Sequence, residues 1–202
     1  MKFIDLSVIV NEQTPVYPGD PVTKIVPAGV LERNGYEDHY VSIGTHVGTH
    51  VDAPRHMLAG EKRIHELALD RFTGRGVYGK TGKNLTLDAV RGIEIREGDI
   101  VLLHTGMSEK YYEKEYYDNY PAISEELAKF FISKKVKMVG VDMCSVDHEP
   151  FPIHKLLLGN GVLIIENLTN LVALQGKEFT VYAFPLRVEL DGFPTRVVAK
   201  IK

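Results

Sequence analysis

His46-Val47-Gly48-Thr49-His50-Val51-Asp52-Ala53-Pro54-Arg55-His56 holds three of the chain's eight histidines and an aspartate. Gly44, Gly48 and Pro54 disfavour a helix here, and Val41, Ile43, Thr45, Val47, Thr49 and Val51 favour a strand. Alternate side chains of a strand share a face. His46, His50 and Asp52 then point the same way, with Gly48 leaving space between the two imidazoles. Two imidazoles and a carboxylate are the ligand set of a borderline cation such as Zn²⁺ or Mn²⁺. A lone histidine on a strand face is ordinarily a polar residue with no ligand to hold. Two on one face, with an aspartate beside them, form a ligand pattern. The i, i+4 spacing also suits a helical site, but the Glu of His-Glu-x-x-His is absent.

Outward from this stretch, the chain reads as mixed α and β, rich in strands. Strands are expected at Leu6–Val10, Tyr40–Asp52, Ile100–His104, Met138–Val141, Gly161–Ile165, Thr180–Pro185 and Arg196–Ile201. Asp191-Gly192 signals a turn joining two strands. One helix is clear: Ser124 caps it, Glu125 and Glu126 suit its first turn, and Leu127, Phe130 and Phe131 line one face. Lys134 and Lys135 close it. Shorter helices are expected over Ile64–Phe72 and from Leu85 to Val90.

At 202 residues with 44% apolar content, a single domain spanning 1–202 is expected, with a sizeable core. A net charge of −3 with mixed signs argues against a nucleic-acid surface, which normally shows a basic stripe. No apolar run approaches the ~18 residues that cross a membrane. Met1-Lys2-Phe3-Ile4-Asp5 lacks secretory features, so the expected location is the cytoplasm. Cys144, the one cysteine, reads as a buried reduced thiol.

Glu166 follows Val162-Leu163-Ile164-Ile165, and a carboxylate at the end of a buried strand is costly unless it is paired or metal-bound. Ser145 lacks the Gly-x-Ser-x-Gly elbow of a serine nucleophile. His39, His65, His104 and His148 have no partner at ligand spacing. Tyr111, Tyr112, Tyr116, Tyr117 and Tyr120 interleave with Glu and Lys, as in an amphipathic excursion, a pocket wall or a subunit contact.

His-x-Gly-Thr-His-x-Asp-x-Pro-x-His resembles the signature of the cyclase-like metal-dependent hydrolases, a family that includes bacterial kynurenine formamidases (arylformamidases). Thr14-Pro15-Val16-Tyr17-Pro18-Gly19-Asp20 resembles its Trp-Pro-Gly-Asp segment. Gly140-Val141-Asp142 and Ser145-Val146-Asp147 resemble its Gly-x-Asp and Ser-x-Asp elements. His154 and Glu166-Asn167-Leu168 resemble its distal ligands. The resemblance implies a layered β/β/α fold of the swivelling type and two divalent ions, Zn²⁺ or Mn²⁺. His46, His50, Asp52 and Glu166 would hold one ion, and Asp52, His154 and Glu166 the other.

His56 would be the acid/base, and Tyr17 would stand where the formamidases place a substrate-stacking Trp; this chain has no Trp. The implied reaction is hydrolysis of N-formylkynurenine to kynurenine and formate, a step of the kynurenine pathway of tryptophan catabolism, by a homodimer or higher homo-oligomer. Hydrolysis of another amide, cyclic imide or lactam is the alternative reading, and a non-catalytic metal-binding module is a second.

Overall fold

Branched apolar residues concentrate in three short runs, at 100–103, 138–141 and 163–165, and these lie at the centre of one sheet. A computed structural model describes residues 2–82 and 84–202. The first half of the chain forms β1 (Lys2–Asp5), β2 (Lys24–Gly29), α1 (Leu31–Asn34), β3 (Asp38–Ser42), β4 (His50–Asp52), β5 (Thr73–Lys80) and β6 (Ile100–His104). The second half forms α2 (Glu115–Asp118), α3 (Glu125–Ser133), β7 (Met138–Val141), α4 (Pro152–Gly159), β8 (Leu163–Glu166), β9 (Phe179–Tyr182), β10 (Gly192–Pro194) and β11 (Val198–Ile201).

The large sheet runs β1-β11-β9-β5-β6-β7-β8-β4-β10, and β2 with β3 makes a separate two-stranded arm. β5 to β8 are parallel to one another, and the flanking pairs are antiparallel.

Both faces of the parallel centre are buried, as continuous apolar runs require. Val101, Leu103, Val139, Val141 and Ile164 pack against Leu127 and Phe131 of α3 and Leu157 and Leu158 of α4. The alternate residues Ile100, Leu102, Met138, Leu163 and Ile165 meet Val51 of β4, Val181 of β9 and Ala199 of β11. Outer strands therefore curl over the sheet's own centre, with helices on the opposite face. This is the mixed, β-rich β/β/α layering that the resemblance implies. Each buried Leu, Ile or Phe contributes roughly 1.5–3 kcal/mol, so the two faces rather than helix propensity hold the fold. α3 forms as read: Ser124 Oγ accepts from Leu127 N at 3.2 Å, and Leu127, Ala128 and Phe131 are buried.

Several expected elements change. The strand over Tyr40–Asp52 is broken: β3 ends at Ser42, and β4 starts only at His50. Gly48 between them takes φ +62°, and a Cβ there would meet Val10 Cγ2 at 2.9 Å. Its purpose is the left-handed turn, not space between imidazoles. Leu6–Val10 is not a strand. β1 precedes it, Leu6 is fully buried, and Ser7 makes only an isolated bridge to Leu168.

Ile64–Phe72 is two 3₁₀ turns, Ile64–Glu66 and Leu69–Phe72, and Leu85–Val90 shrinks to a 3₁₀ turn at Leu87–Val90. Pairing shifts three strand bounds, giving β8, β9 and β11 as stated above. β5 escaped the sequence reading because Gly74, Gly76 and Gly79 dilute its apolar pattern. A Cβ on Gly76 would lie 1.9 Å from the Phe179 ring, so the glycine admits that buried aromatic. The arm was also unforeseen. All of β3 is exposed, with Tyr40 74% and Val41 58% accessible.

Candidate functional site

β4 sits between β8 and β10, and this pairing builds the site. The register sets His50 opposite Glu166 on one side and Pro194 on the other, and Asp52 opposite Gly192. His50 and Asp52 are two residues apart on one strand, so they share a face. His46 comes from the turn before β4, not from the strand, yet it reaches the same cluster. Its Nδ1 lies 2.8 Å from Asp52 Oδ1, and its ring is 4.9 Å from that of His50. Pro54 opens a 3₁₀ turn that carries His56 to within 3.9 Å of the His46 ring, centroid to centroid. His154 enters from the first turn of α4, its Nε2 3.1 Å from Glu166 Oε1 and 3.8 Å from Asp52 Oδ2. All six polar residues singled out from the sequence therefore converge.

The cluster floors a cavity of about 340 Å³ lined by His46, His50, His56, His154 and Glu166, with Tyr17, Met57, Tyr117 and Phe151 among the walls. Asp52 is fully buried beneath it. Tyr17 meets Tyr117 edge-on at 6.2 Å, and its hydroxyl lies 3.4 Å from that of Tyr120. The tyrosine excursion is mostly core: Tyr111, Tyr116 and Tyr120 are buried, Tyr117 is a pocket wall, and only Tyr112 is well exposed. Cys144 also lines the cavity, and burial pushes its thiol up, away from the reactive thiolate. Ser145 Oγ donates to Asp147 O at 2.8 Å. His104 bonds Tyr78 at 2.7 Å, and His148 stacks on Tyr120 at 4.2 Å; neither lines the cavity.

Two carboxylates that the sequence reading gave no role hold the histidines from behind. Asp147 Oδ1 lies 2.5 Å from His154 Nδ1. Asp191 Oδ2 lies 2.9 Å from His46 Nε2 and 3.2 Å from His56 Nδ1. Asp191-Gly192 reads as a turn in the sequence, and nothing local distinguishes a turn aspartate from one aimed at histidines 135 and 145 positions away.

The electrostatics follow from the packing. Burial opposes charge on His46, but the Asp52 carboxylate and the hydrogen bond to Asp191 outweigh it and hold the imidazole up at about 9. Burial likewise opposes charge on His50, and Asp52 and Glu166 raise it to about 10. His154 reaches about 10 against its burial, through Asp147 and Glu166. Burial alone would raise Asp52, yet His50 and His46 hold it well below the usual carboxylate range. Glu166 is lowered in the same way by His154 and His50, against burial. Imidazole nitrogens here face carboxylate oxygens, where a cation can stand in place of protons.

The residues fit such a cation. His50 Nε2 and Asp52 Oδ2 are buried and lack a hydrogen-bond partner among the described residues. Each unsatisfied buried group costs about 1–3 kcal/mol, and one positive ion answers both. Ligand atoms of His50, Asp52 and Glu166 lie within 4.8 Å of one another, and so do those of His46, Asp52 and His56. The second grouping brings the His56 ring nearer to a ligand position than its place beyond Pro54 suggests.

Comparison with known proteins bears on the family and the fold. The Cyclase family model matches residues 4–148. An uncharacterized protein of Methanocaldococcus jannaschii is 34% identical over 185 residues, covering 91% of each chain. Kynurenine formamidase of Geobacillus thermodenitrificans is 28% identical over 98% of this chain and 97% of its own. Among solved structures, isatin hydrolase A from Labrenzia aggregata, bound to benzyl benzoate, superposes with a TM-score of 0.89. It is 23% identical and covers 98% of this chain and 93% of its own, which speaks to the fold.

Proposed function

This chain belongs to the Cyclase family, and from that premise we propose that it is a metal-dependent amide hydrolase acting on aryl formamides, with N-formylkynurenine the leading substrate. The observation that carries the reading is the pair of orphaned, buried ligand atoms, His50 Nε2 and Asp52 Oδ2, on the floor of an aromatic-walled cavity. The kynurenine formamidase likeness over nearly the whole chain supports the substrate class. His46, His50, Asp52 and Glu166 would hold one divalent ion, Zn²⁺ or Mn²⁺, and Asp52, His154 and Glu166 a second. Such ions lower the pKa of water toward neutrality and polarise a carbonyl.

His56 takes a proton from the attacking water and returns one to the leaving nitrogen. Asp147 fixes the His154 ring through its Nδ1. Tyr17 offers a face on which an aromatic substrate stacks, and Met57 and Phe151 exclude water around it. We take residues 1–202 as one catalytic domain, because the site draws on residues from Tyr17 to Asp191, and we place it in the cytoplasm.

One observation favours a second substrate reading, a ring-closed aryl amide such as a cyclic imide or lactam. Among the described residues no Lys or Arg lines the cavity, and Asp20 does. The free carboxylate of N-formylkynurenine finds no Lys or Arg side chain there, whereas a neutral ring needs none. A panel of aryl formamides and cyclic aryl amides, assayed with metal content measured on the same sample, separates the two. Activity on neither, with metal bound, would leave a metal-binding module. On the best substrate, Tyr17→Ala should raise KM roughly 3- to 10-fold with little change in kcat, since stacking is worth about 0.5–1.5 kcal/mol and binds ground and transition states alike. Tyr17→Trp should bind at least as well. An unchanged KM in Tyr17→Ala sinks the stacking role.

A homodimer is the proposed assembly. A two-stranded hairpin alone is marginal in water, and the arm exposes Val26, Tyr40 and Val41. These residues support self-association better than the tyrosine excursion, which is largely core. Sedimentation at micromolar concentration should give twice the chain mass, and a strict monomer removes the idea.

A further inference from the structure

We infer that Asp191 is a positioning residue that sets the ring orientation and tautomer of both His46 and His56. One carboxylate oxygen, Oδ2, serves both rings, at 2.9 Å from His46 Nε2 and 3.2 Å from His56 Nδ1. The two rings lie 3.9 Å apart and tilted by 37°, so a shared acceptor holds them as a unit. Asp191 is itself pinned to the site strand. Its carbonyl accepts from Ala53 N at 2.9 Å, and the next residue, Gly192, pairs with Asp52. A Cβ at position 192 would meet Val51 O at 2.8 Å and His46 Cε1 at 3.0 Å, so the His46 ring packs directly on this backbone.

The consequence for each ring is specific. His46 uses its Nε2–H on Asp191, which leaves Nδ1 on the Asp52 side as a lone-pair donor. His56 uses its Nδ1–H on Asp191, which leaves Nε2 for proton transfer. A carboxylate behind a ligating histidine fixes its tautomer and raises its basicity. Here one carboxylate does this for a candidate ligand and for the candidate acid/base together. The kinetic part of this inference rests on the amide-hydrolase reading; the metal and tautomer parts do not.

The test compares Asp191→Ala and Asp191→Asn with the parent, all loaded with Zn²⁺. Three quantities are read: kcat and KM on the parent's best aryl formamide or cyclic aryl amide, Zn²⁺ affinity by chelator competition, and histidine tautomers from ring ¹⁵N spectra. Asp191→Ala should lower kcat about 10²-fold with KM within about threefold, and weaken Zn²⁺ about 10- to 100-fold. Its His56 signal should lose the Nδ1–H signature. Asp191→Asn keeps an oxygen acceptor and should fall between. Parent-like kcat, affinity and tautomer in Asp191→Ala overturn the inference, and so does a loss of activity that tracks a lowered Tm with tautomers unchanged. If the parent hydrolyses no amide of the panel, the amide-hydrolase reading fails, and the Zn²⁺ and tautomer readouts still decide the role of Asp191.

Discussion

His56→Ala keeps its fold and bound metal but turns over substrate about 10²- to 10⁴-fold more slowly, the usual worth of a positioned acid/base. The fold survives because His56 ends a 3₁₀ turn at the cavity with its side chain 22% exposed. The metal survives because His46, His50, Asp52, His154 and Glu166 remain. Turnover and elemental metal content must be measured on the same preparation. Full activity refutes the role. Loss of metal along with activity makes His56 a ligand, as its proximity to His46 and Asp52 allows.

His50→Ala should lose metal to the background level, and turnover with it. His50 is 1% exposed, with Nδ1 on Gly48 O at 2.8 Å, and Nε2 sits 3.3 Å from Asp52 and 3.5 Å from Glu166. Its removal leaves two buried carboxylates without the imidazole that faces them both. Metal binding at parental level in this variant would show the site to be elsewhere.

The same chemistry makes metal removal pH-dependent. In metal-free protein, His46, His50 and His154 titrate near 9, 10 and 10, against about 6.5 when unfolded. A raised value stabilises fully below about 6.5 and is lost as pH rises through 9 to 10. Asp52 and Glu166 are lowered, so their contribution holds above about 4.5 and is lost on acidification. Chelated protein should therefore show its highest Tm between roughly pH 4.5 and 6.5. Each ion displaces protons, so Zn²⁺ affinity should climb up to about pH 10. A chelated Tm that is flat from pH 6 to 10 contradicts this.

The site was more legible than the fold around it. His46, His50, Asp52 and His56 could be read because they lie within eleven residues, and Glu166 because a carboxylate ending an apolar run is physically anomalous. The conformation assigned to them was only half right. Alternation alone cannot tell a continuous strand from one interrupted by a left-handed glycine, and Gly48 makes that interruption. β6 and β7 were recovered because fully buried parallel strands are continuous apolar runs. β5 was not, because its glycines break the apolar pattern, and one of them, Gly76, admits Phe179, a residue more than a hundred positions away. Asp147, part of a resembling motif, and Asp191, a turn residue, carry no site role in the sequence reading for the same reason. Their importance lies in what they face, and that is set by strand pairing rather than by neighbours in sequence.

The partners of β4 come late in the chain. β8 and β10 flank it at Glu166 and at Gly192–Pro194, more than a hundred residues after His50. Joining elements so far apart costs loop-closure entropy before any contact repays it, which is why non-local strand pairing is slow. A nascent chain that has not yet extended past Glu166 has the first histidines and Asp52 but no strand beside them, and so only part of the cluster. Capture of metal by the full set of candidate ligands therefore belongs to the end of folding, where the ion locks a finished architecture.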